Sequence, residues 1–272
     1  MAFTMVMEKP LIISILNSLE KRCSVLPIVV TEDGLMVNVG SDGKDMAFSL
    51  MLNKNMFSEF VFQGDDSEGI CLSAANFSKI SAKLAYPVEI ESGIGSGIKI
   101  SSATGRQNYN LRPVEDVIAE KAFGKADGIR KQLSAFRESG EGIVIRLLPQ
   151  DLKMGLRNVS VADKNVTITL AGSTLDLSTD SIDIDAEAVV ALTEEVDGEW
   201  EKTYNVGYLE SVISILPGNN EIELHLFDDA RSLLMVMPLS EEGESFCLVN
   251  IAPVEQRRGR EDEIDDDGTD ED

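Results

Sequence analysis

The chain has 272 residues, a 43% hydrophobic fraction and a formal net charge of −24, so it holds enough apolar material for one large core or two of ordinary size. That charge excludes non-specific attraction to nucleic acid or to an anionic membrane as a main mode of action. Part of it is a tail, because residues 256–272 set three arginines against nine acids, and the remaining body is still strongly acidic. A salt-rich cytoplasm is one setting that favours such acidity, although the lysines are not depleted. Cys23, Cys71 and Cys247 stand inside apolar patterns. Their odd number predicts reduced thiols in a cytosolic compartment. No apolar run approaches the length of a membrane span, and no basic region precedes an apolar run at the N-terminus, so neither a membrane anchor nor a signal peptide is expected.

In chain order, residues 2–7 read as a strand. Pro10 suits a first helical turn, and Leu11, Ile12, Ile15, Leu16 and Leu19 make the apolar stripe of a helix to about Arg22. Strands are predicted over 25–30 and 34–39, joined by the turn Thr31-Glu32-Asp33-Gly34, then over 45–52 and 57–62. Residues 63–69 read as an acidic loop. A second helix spans 73–84 with Phe77, Ile80 and Leu84 inward. Residues 87–91 and 98–101 form a hairpin, and 106–111 closes the first half.

The second half starts again with a strand over 143–147 and a helix over 148–158. Strands follow over 159–161, 166–170, 175–178 and 186–192. A fourth helix runs over 204–216, with Leu209, Val212, Ile213 and Leu216 on one stripe, and Pro217-Gly218-Asn219-Asn220 stops it. Residues 221–227 alternate at period two, and 233–237 and 246–251 read as further strands. Both halves follow one order: strand, helix, strands, second helix, strands. This is an internal duplication at the level of pattern, with almost no identity between the copies. The organisation is therefore an N-terminal domain over 1–112, a connector over 113–141, a C-terminal domain over 142–255 and a disordered acidic tail over 256–272. The connector is partly helical and basic, with Lys121, Lys125, Arg130, Lys131 and Arg137. It reads either as a solvated linker or as a surface that folds back on the acidic body or meets an acidic partner.

Catalytic chemistry is mostly absent. His225, the only histidine, stands in an alternating strand as a surface or interface residue, and no Cys/His cluster has metal-ligand spacing. Gly93, Gly95 and Gly97 lie between two strands rather than between a strand and a helix, which makes a hairpin turn and not a phosphate loop. No metal, no cofactor and no enzymatic activity are expected.

Three stretches carry a family likeness: Gly34-Leu35-Met36-Val37-Asn38-Val39-Gly40-Ser41-Asp42-Gly43-Lys44-Asp45-Met46-Ala47-Phe48, then Phe77-Ser78-Lys79-Ile80, then Tyr208-Leu209 with Ser232-Leu233 and the closing Ile251-Ala252-Pro253. In this order, and with two duplicated halves joined by a long connector, the chain resembles the sliding DNA clamps of archaea and eukaryotes, the proliferating cell nuclear antigen (PCNA) family. The resemblance implies an α+β clamp fold with two similar domains, each of two helices on antiparallel sheets. It implies a homotrimeric ring with sheets outside and helices lining a hole for duplex DNA. The implied function is that of a DNA sliding clamp, a polymerase processivity factor that tethers replication and repair proteins. Its partners would be duplex DNA, DNA polymerase, an ATP-driven clamp loader and other proteins with a clamp-binding peptide, but no membrane. Such a protein is cytoplasmic in a prokaryote, or in a virus within one, and nuclear in a eukaryote.

By the same resemblance, Lys79 and Lys83 on the second helix and Lys153 and Arg157 on the third face the DNA, with Lys21 of the first helix a further contact. The first helix is poor in bases beyond Lys21 and Arg22, and the fourth has none, which predicts a weak, salt-sensitive interaction. The partner-peptide pocket would be lined by Val39, Gly40, Ser232, Ala252, Pro253 and Val254 and covered by Ile118 or Phe123 of the connector. A larger side chain is usual where Gly40 falls. Subunits would pair through edge strands at 106–111, with Arg106, Tyr109 and Leu111, and at 174–178, with Leu175 and Leu177. Alternative readings are a clamp-fold accessory or checkpoint-type subunit, or a viral processivity factor, acting as monomer or hetero-oligomer. A further alternative is an unrelated acidic all-β interaction protein.

Overall fold

A computed structural model describes residues 2–8, 10–43, 46–64, 67–92, 97–102, 105, 107–180, 184–213, 221–228, 233–240 and 243–254. The first half contains β1 (Ala2–Met7), α1 (Pro10–Ser18) continued by a 3-10 turn (Leu19–Lys21), β2 (Val25–Thr31), β3 (Gly34–Gly40), β4 (Met46–Asn53), β5 (Glu59–Gln63), β6 (Ser67–Ser73), α2 (Ala74–Ser81), β7 (Val88–Ser92), β8 (Ile98–Ser102) and β9 (Asn108–Leu111). A 23-residue helix, α3 (Asp116–Glu138), forms the connection. The second half contains β10 (Ile143–Leu147), α4 (Pro149–Val159), β11 (Asn165–Ala171), β12 (Thr174–Asp180), β13 (Asp185–Ala191), β14 (Glu199–Asn205), α5 (Val206–Ile213), β15 (Ile222–Leu226), β16 (Leu233–Pro238) and β17 (Phe246–Ile251).

The duplicated order is present, with four differences from the sequence reading. Residues 67–69 belong to β6 rather than to an acidic loop, because the strand pairs along β2 from Ser67 opposite Thr31 to Ser73 opposite Val25. Residues 199–205, of which the sequence reading gave 199–203 no element and 204–205 to the fourth helix, form β14 and pair with β11 throughout, and the helix starts at Val206. Trp200 and Tyr204, the second and sixth residues of β14, are buried on one face and stack at 6.1 Å. Residues 159–161 are not a strand: Val159 ends α4 and is fully buried under it. The second helix ends at Ser81, so Lys83 lies in the turn beyond it.

Three antiparallel sheets result. One has the order β5-β1-β7-β8-β9, one β10-β15-β16-β17-β4-β3-β2-β6, and one β13-β12-β11-β14. The eight-stranded sheet takes four strands from each half, and the β4–β17 pair joins them, with Phe48 opposite Val249 and Leu50 opposite Cys247. One large apolar cluster runs through both halves, including Met5, Leu16, Leu50, Phe77, Leu156, Tyr204, Leu209 and Met235. On β16 the alternation splits the strand: Leu233, Met235 and Met237 enter this cluster, while Leu234 and Val236 enter a second, smaller one with Leu133, Phe227 and Leu248. Both faces are covered, which is why this strand reads as an uninterrupted apolar run.

Because the two halves share hydrogen-bonded strands and one core, they are expected to unfold together. Leu50→Ala, at a fully buried position of β4, should cost about 2–5 kcal/mol. Denaturant titration read by Trp200 fluorescence, in the other half, should show the same lowered midpoint as far-UV circular dichroism. A Trp200 transition left at the parental midpoint would show that the halves unfold separately.

Candidate functional site

Two surfaces hold the residues singled out from the sequence. The first is made by the four short helices, which pack as α1 with α2 and α4 with α5. Each is amphipathic for a simple reason, since its apolar positions recur every three or four residues and turn inward. Ile12, Ile13, Ile15 and Leu16 are buried on α1, Phe77 on α2, Leu152, Leu156 and Val159 on α4, and Leu209, Val212 and Ile213 on α5. Ser81 Oγ of α2 donates to Asn17 Oδ1 of α1 at 2.7 Å. The two pairs meet through Arg22, whose Nη2 donates to the Gly207 carbonyl at 3.0 Å and whose guanidinium lies 4.1 Å from the centre of the Tyr208 ring. A base from the first half therefore stands over α5, which has none of its own.

On this helical surface Lys79, in the last turn of α2, is exposed, as are Lys83 just beyond it and Lys21 in the 3-10 turn. Arg157 is exposed on α4 and Lys153 half-buried one turn before it. None of the five makes an ion pair among the described residues. Their charge is therefore available to a diffusing anion, while Glu20, Asp151 and Glu210 on the same elements keep the field modest.

The second surface is the face of the eight-stranded sheet turned away from the main cluster. Here α3 crosses β6, β2, β3, β4, β17 and β16. Two glycines seat it. A Cβ on Gly69 of β6 would stand 3.0 Å from Cζ of Phe123, and a Cβ on Gly40 of β3 would stand 3.3 Å from Cδ1 of Ile129. Further along, Leu133 is fully buried among Phe227, Leu234, Val236 and Leu248, with Ala47, Ile129, Phe136 and Phe246 packed around them. Phe136 meets Phe227 at 6.1 Å between ring centres, and the Arg137 guanidinium sits 4.5 Å over the Phe246 ring.

Of the expected pocket residues, Gly40 faces α3. Val39 is buried and belongs to the main cluster, although it also borders a cavity of about 240 Å³ together with Gly40, Ile118, Lys121, Lys125 and Ile129. Ala252, Pro253 and Val254 are half-buried, and Ala252 borders a second cavity on the other flank of α3, with Gly40, Met46, Ala47 and Gly128. Ser232 lies outside the described residues. Sequence reasoning named Ile118 and Phe123 as the cover but missed Ile129, Leu133 and Phe136, which anchor it. Their spacing with Ala126 is a helical stripe that was legible had the connector been treated as one helix rather than a linker.

The strand edges differ in part from expectation. β9 is an edge of its sheet, with Tyr109 half-buried and Leu111 buried; Arg106 lies outside the described residues. The segment 174–178 is not an edge. It belongs to β12, whose two sides are taken by β11 and β13, and Leu175 and Leu177 are fully buried within the chain. The free edge next to it is β13, which carries Asp185, Glu187 and an exposed Val189 at 68%.

Among the described residues the titratable interior holds no reactive constellation. The three cysteines are free and buried, and burial pushes the Cys23 thiol up to about 12 and the Cys71 thiol up to about 11, so both stay protonated and inert at neutral pH. No group of three or more His, Cys, Asp or Glu residues is placed to hold a metal ion among the described residues. No helix among them is long and apolar enough to cross a membrane. His225, on β15 opposite Val144 and Leu234, is buried rather than a surface histidine. Burial holds its imidazole below the ordinary value. The Glu223 carboxylate, 3.6 Å away, pulls it partly back, and Arg137 of α3 pushes it lower.

No family model matches the chain, and no curated protein matches it. Solved structures do. PCNA from Thermococcus kodakaraensis superposes with a TM-score of 0.72 at 15% identity, covering 92% of this chain and 99% of that one. The PCNA2–PCNA3 complex of Sulfolobus tokodaii gives 0.72 at 13% identity, with 93% and 99% covered. A. fulgidus PCNA bound to the C-terminal region of FEN-1 gives 0.72 at 14% identity, with 92% and 98% covered. The chain thus has the clamp fold of the archaeal PCNA structures over nearly its whole length.

Two predictions follow from the covered face. Gly40→Val should drive the Ile129 side chain from its seat and cost about 1–3 kcal/mol, and Ile129→Ala in the same chain should recover part of that loss, as read by a double-mutant cycle in denaturant. Because His225 is held neutral when folded, the unfolded chain takes up its proton first as pH falls through the ordinary histidine range. Its contribution is present above that range and lost on acidification. His225→Gln should therefore lose less stability than the parent between pH 7.5 and 5.5.

Proposed function

We propose that this chain is the subunit of a DNA sliding clamp, a non-enzymatic processivity factor. The observation that carries the reading is the end-to-end likeness of a duplicated helix-on-sheet chain to archaeal PCNA chains, covering 92% of this chain and 99% of the Thermococcus one. In this reading three copies close into a ring through the free edges β9 and β13. The edges complement each other in charge, since β13 carries Asp185 and Glu187 while Arg112 stands directly after β9. An edge strand with an exposed Val189 is a surface that pairing would protect.

The mechanism is topological. A closed ring leaves duplex DNA only when an interface opens, so retention needs little affinity, and a chain with a net charge of −24 supplies little. Lys21, Lys79, Lys83, Lys153 and Arg157 act as spaced, sequence-independent phosphate contacts. The affinity they add falls with salt, with a log–log slope of about −0.9 per phosphate neutralised. The ring tethers a DNA polymerase and other proteins, is opened by a clamp loader, and works in the cytoplasm of a prokaryote or a virus-infected one, or in a nucleus. A second reading, a subunit of a hetero-oligomeric ring, is supported by the Sulfolobus PCNA2–PCNA3 complex, in which two different chains of this fold associate.

Light scattering behind gel filtration tests both. A mass of three chains supports the homotrimer, a monomer that assembles only with a second clamp chain supports the hetero-ring, and a monomer under all conditions counts against a ring. In the trimer, Glu187→Lys with Val189→Lys should shift the assembly toward monomer by at least tenfold in dissociation constant. After loading, retention on circular DNA should exceed retention on the same DNA linearised. Lys79→Glu with Arg157→Glu should shorten the residence time on the circle without changing the mass of the ring. Equal retention on circular and linear DNA would remove the topological mechanism.

A further inference from the structure

A basic flank of α3 stands beside the exit of β17, from which the acidic end of the chain departs. The described residues end at Val254, and Ala252 borders the same cavity as Gly124, Lys125 and Gly128 of α3. Residues 255–272 lie outside the described residues. In sequence, 261–272 hold nine acids and no base, and Arg257, Arg258 and Arg260 precede that run. On α3, Lys121 and Lys125 stand one helical turn apart, and both border the cavity beside β2 and β3. Both are exposed, and neither makes an ion pair among the described residues. The stretch 121–131 carries four bases against one acid. That acid, Asp127, is already shared by Arg130 at 3.0 Å and Lys131 at 2.6 Å. The nearest other acids are Glu120 on the helix and Asp42, which borders both cavities and accepts from Ser24 Oγ at 3.4 Å.

We propose that the acidic run 261–272 docks along the Lys121–Lys125 flank of α3, as an internal polyanion that keeps nucleic acid off the outer surface of the chain. Residues 255–260 link Val254 to the run and let it begin as far as about 25 Å away, more than enough for a chain that leaves beside Lys125. The stretch from Lys121 to Lys131 is about 15 Å long, shorter than twelve extended residues. One exposed ion pair would not hold the run, because each contributes little. The tether supplies the rest, since it keeps the acids at a high effective concentration beside the lysines. The cations of α3 also lie on the face from which the chain leaves, whereas those of the short helices stand across the main cluster. Uncovered, the bases of α3 offer phosphates as ready a site as the short helices do. Covered, they leave the short helices as the cationic surface open to DNA. The inference does not depend on ring formation.

The test uses the full chain and a carbodiimide, which joins a lysine amine to a carboxylate in contact with it. At low salt, peptide mapping should find Lys121 and Lys125 joined to residues 261–272 about tenfold more often than Lys79, Lys83 or Lys153. These links should fade in molar salt. A mixture of isotope-labelled and unlabelled chain separates links within one copy from links between copies. The second measurement is binding of a short linear duplex, read by anisotropy. Changing the nine acids of 261–272 to their amides should tighten binding by about fivefold or more. In that background Lys121→Glu with Lys125→Glu should remove most of the gain. Lys54→Glu with Lys164→Glu, an equal change of charge at two exposed positions elsewhere, should leave it standing. Links chiefly to the short helices, links only between copies, or no links would overturn the proposal. So would a gain that survives the α3 substitutions, or one removed equally by the Lys54 and Lys164 pair.

Discussion

The pairing of β4 with β17 is the contact on which the architecture depends. It converts two copies of a helix-on-sheet unit into one eight-stranded sheet, and so turns a duplicated sequence into a single body. A sheet of that width has two faces to cover. The main cluster, with residues of all four short helices, covers one. The other spans the seam between the halves, and only an element belonging to neither half is placed to cover it. The connector does this, and its length follows: 23 residues of helix at 1.5 Å each span about 35 Å, enough to cross the six strands from β6 to β16.

Much of this was legible in the sequence where periodicity was strong. The stripe Ile12, Ile15 and Leu16 and the alternation of residues 221–227 located α1 and β15 closely, and the turn at Thr31–Gly34 set the β2–β3 register. What escaped had physical reasons. The start of β6 is polar because Ser67 is exposed and the half-buried Glu68 accepts from Ser92 Oγ through its Oε1. β14 places Lys202 between Trp200 and Tyr204 on one side, and its aliphatic stem extends the strand's packing while its Nζ donates to the Asp228 carbonyl. Pairing partners are not written in single strands at all, so the exchange of β12 for β13 as the free edge was invisible until the register was known. The candidate site residues divide in the same way. The exposed cations on the helices could be read from spacing, whereas the Arg22–Tyr208 contact joins residues 186 positions apart and had no local signal.

Charge and topology answer each other in this chain. A body of net charge −24 repels polyanions at long range. The few unpaired cations on the short helices and the turns beside them act only at short range, within about a Debye length of 8–10 Å. In the proposed clamp, attraction confined to this helical surface, with repulsion elsewhere, favours mobility along DNA over adhesion to it.

The seating of α3 on Gly40 and Gly69 has a consequence for divergence. A glycine in a strand is ordinarily a weak choice, and here Ile129 and Phe123 occupy the space that a side chain at 40 or 69 would fill. Seat and plug are one unit of volume divided between two distant segments. In descendants of this chain the two positions are therefore bound to drift as pairs, a larger residue at 40 or 69 arriving with a smaller one at 129 or 123. Lineages that lost the helix would be marked by side chains regained at both glycines.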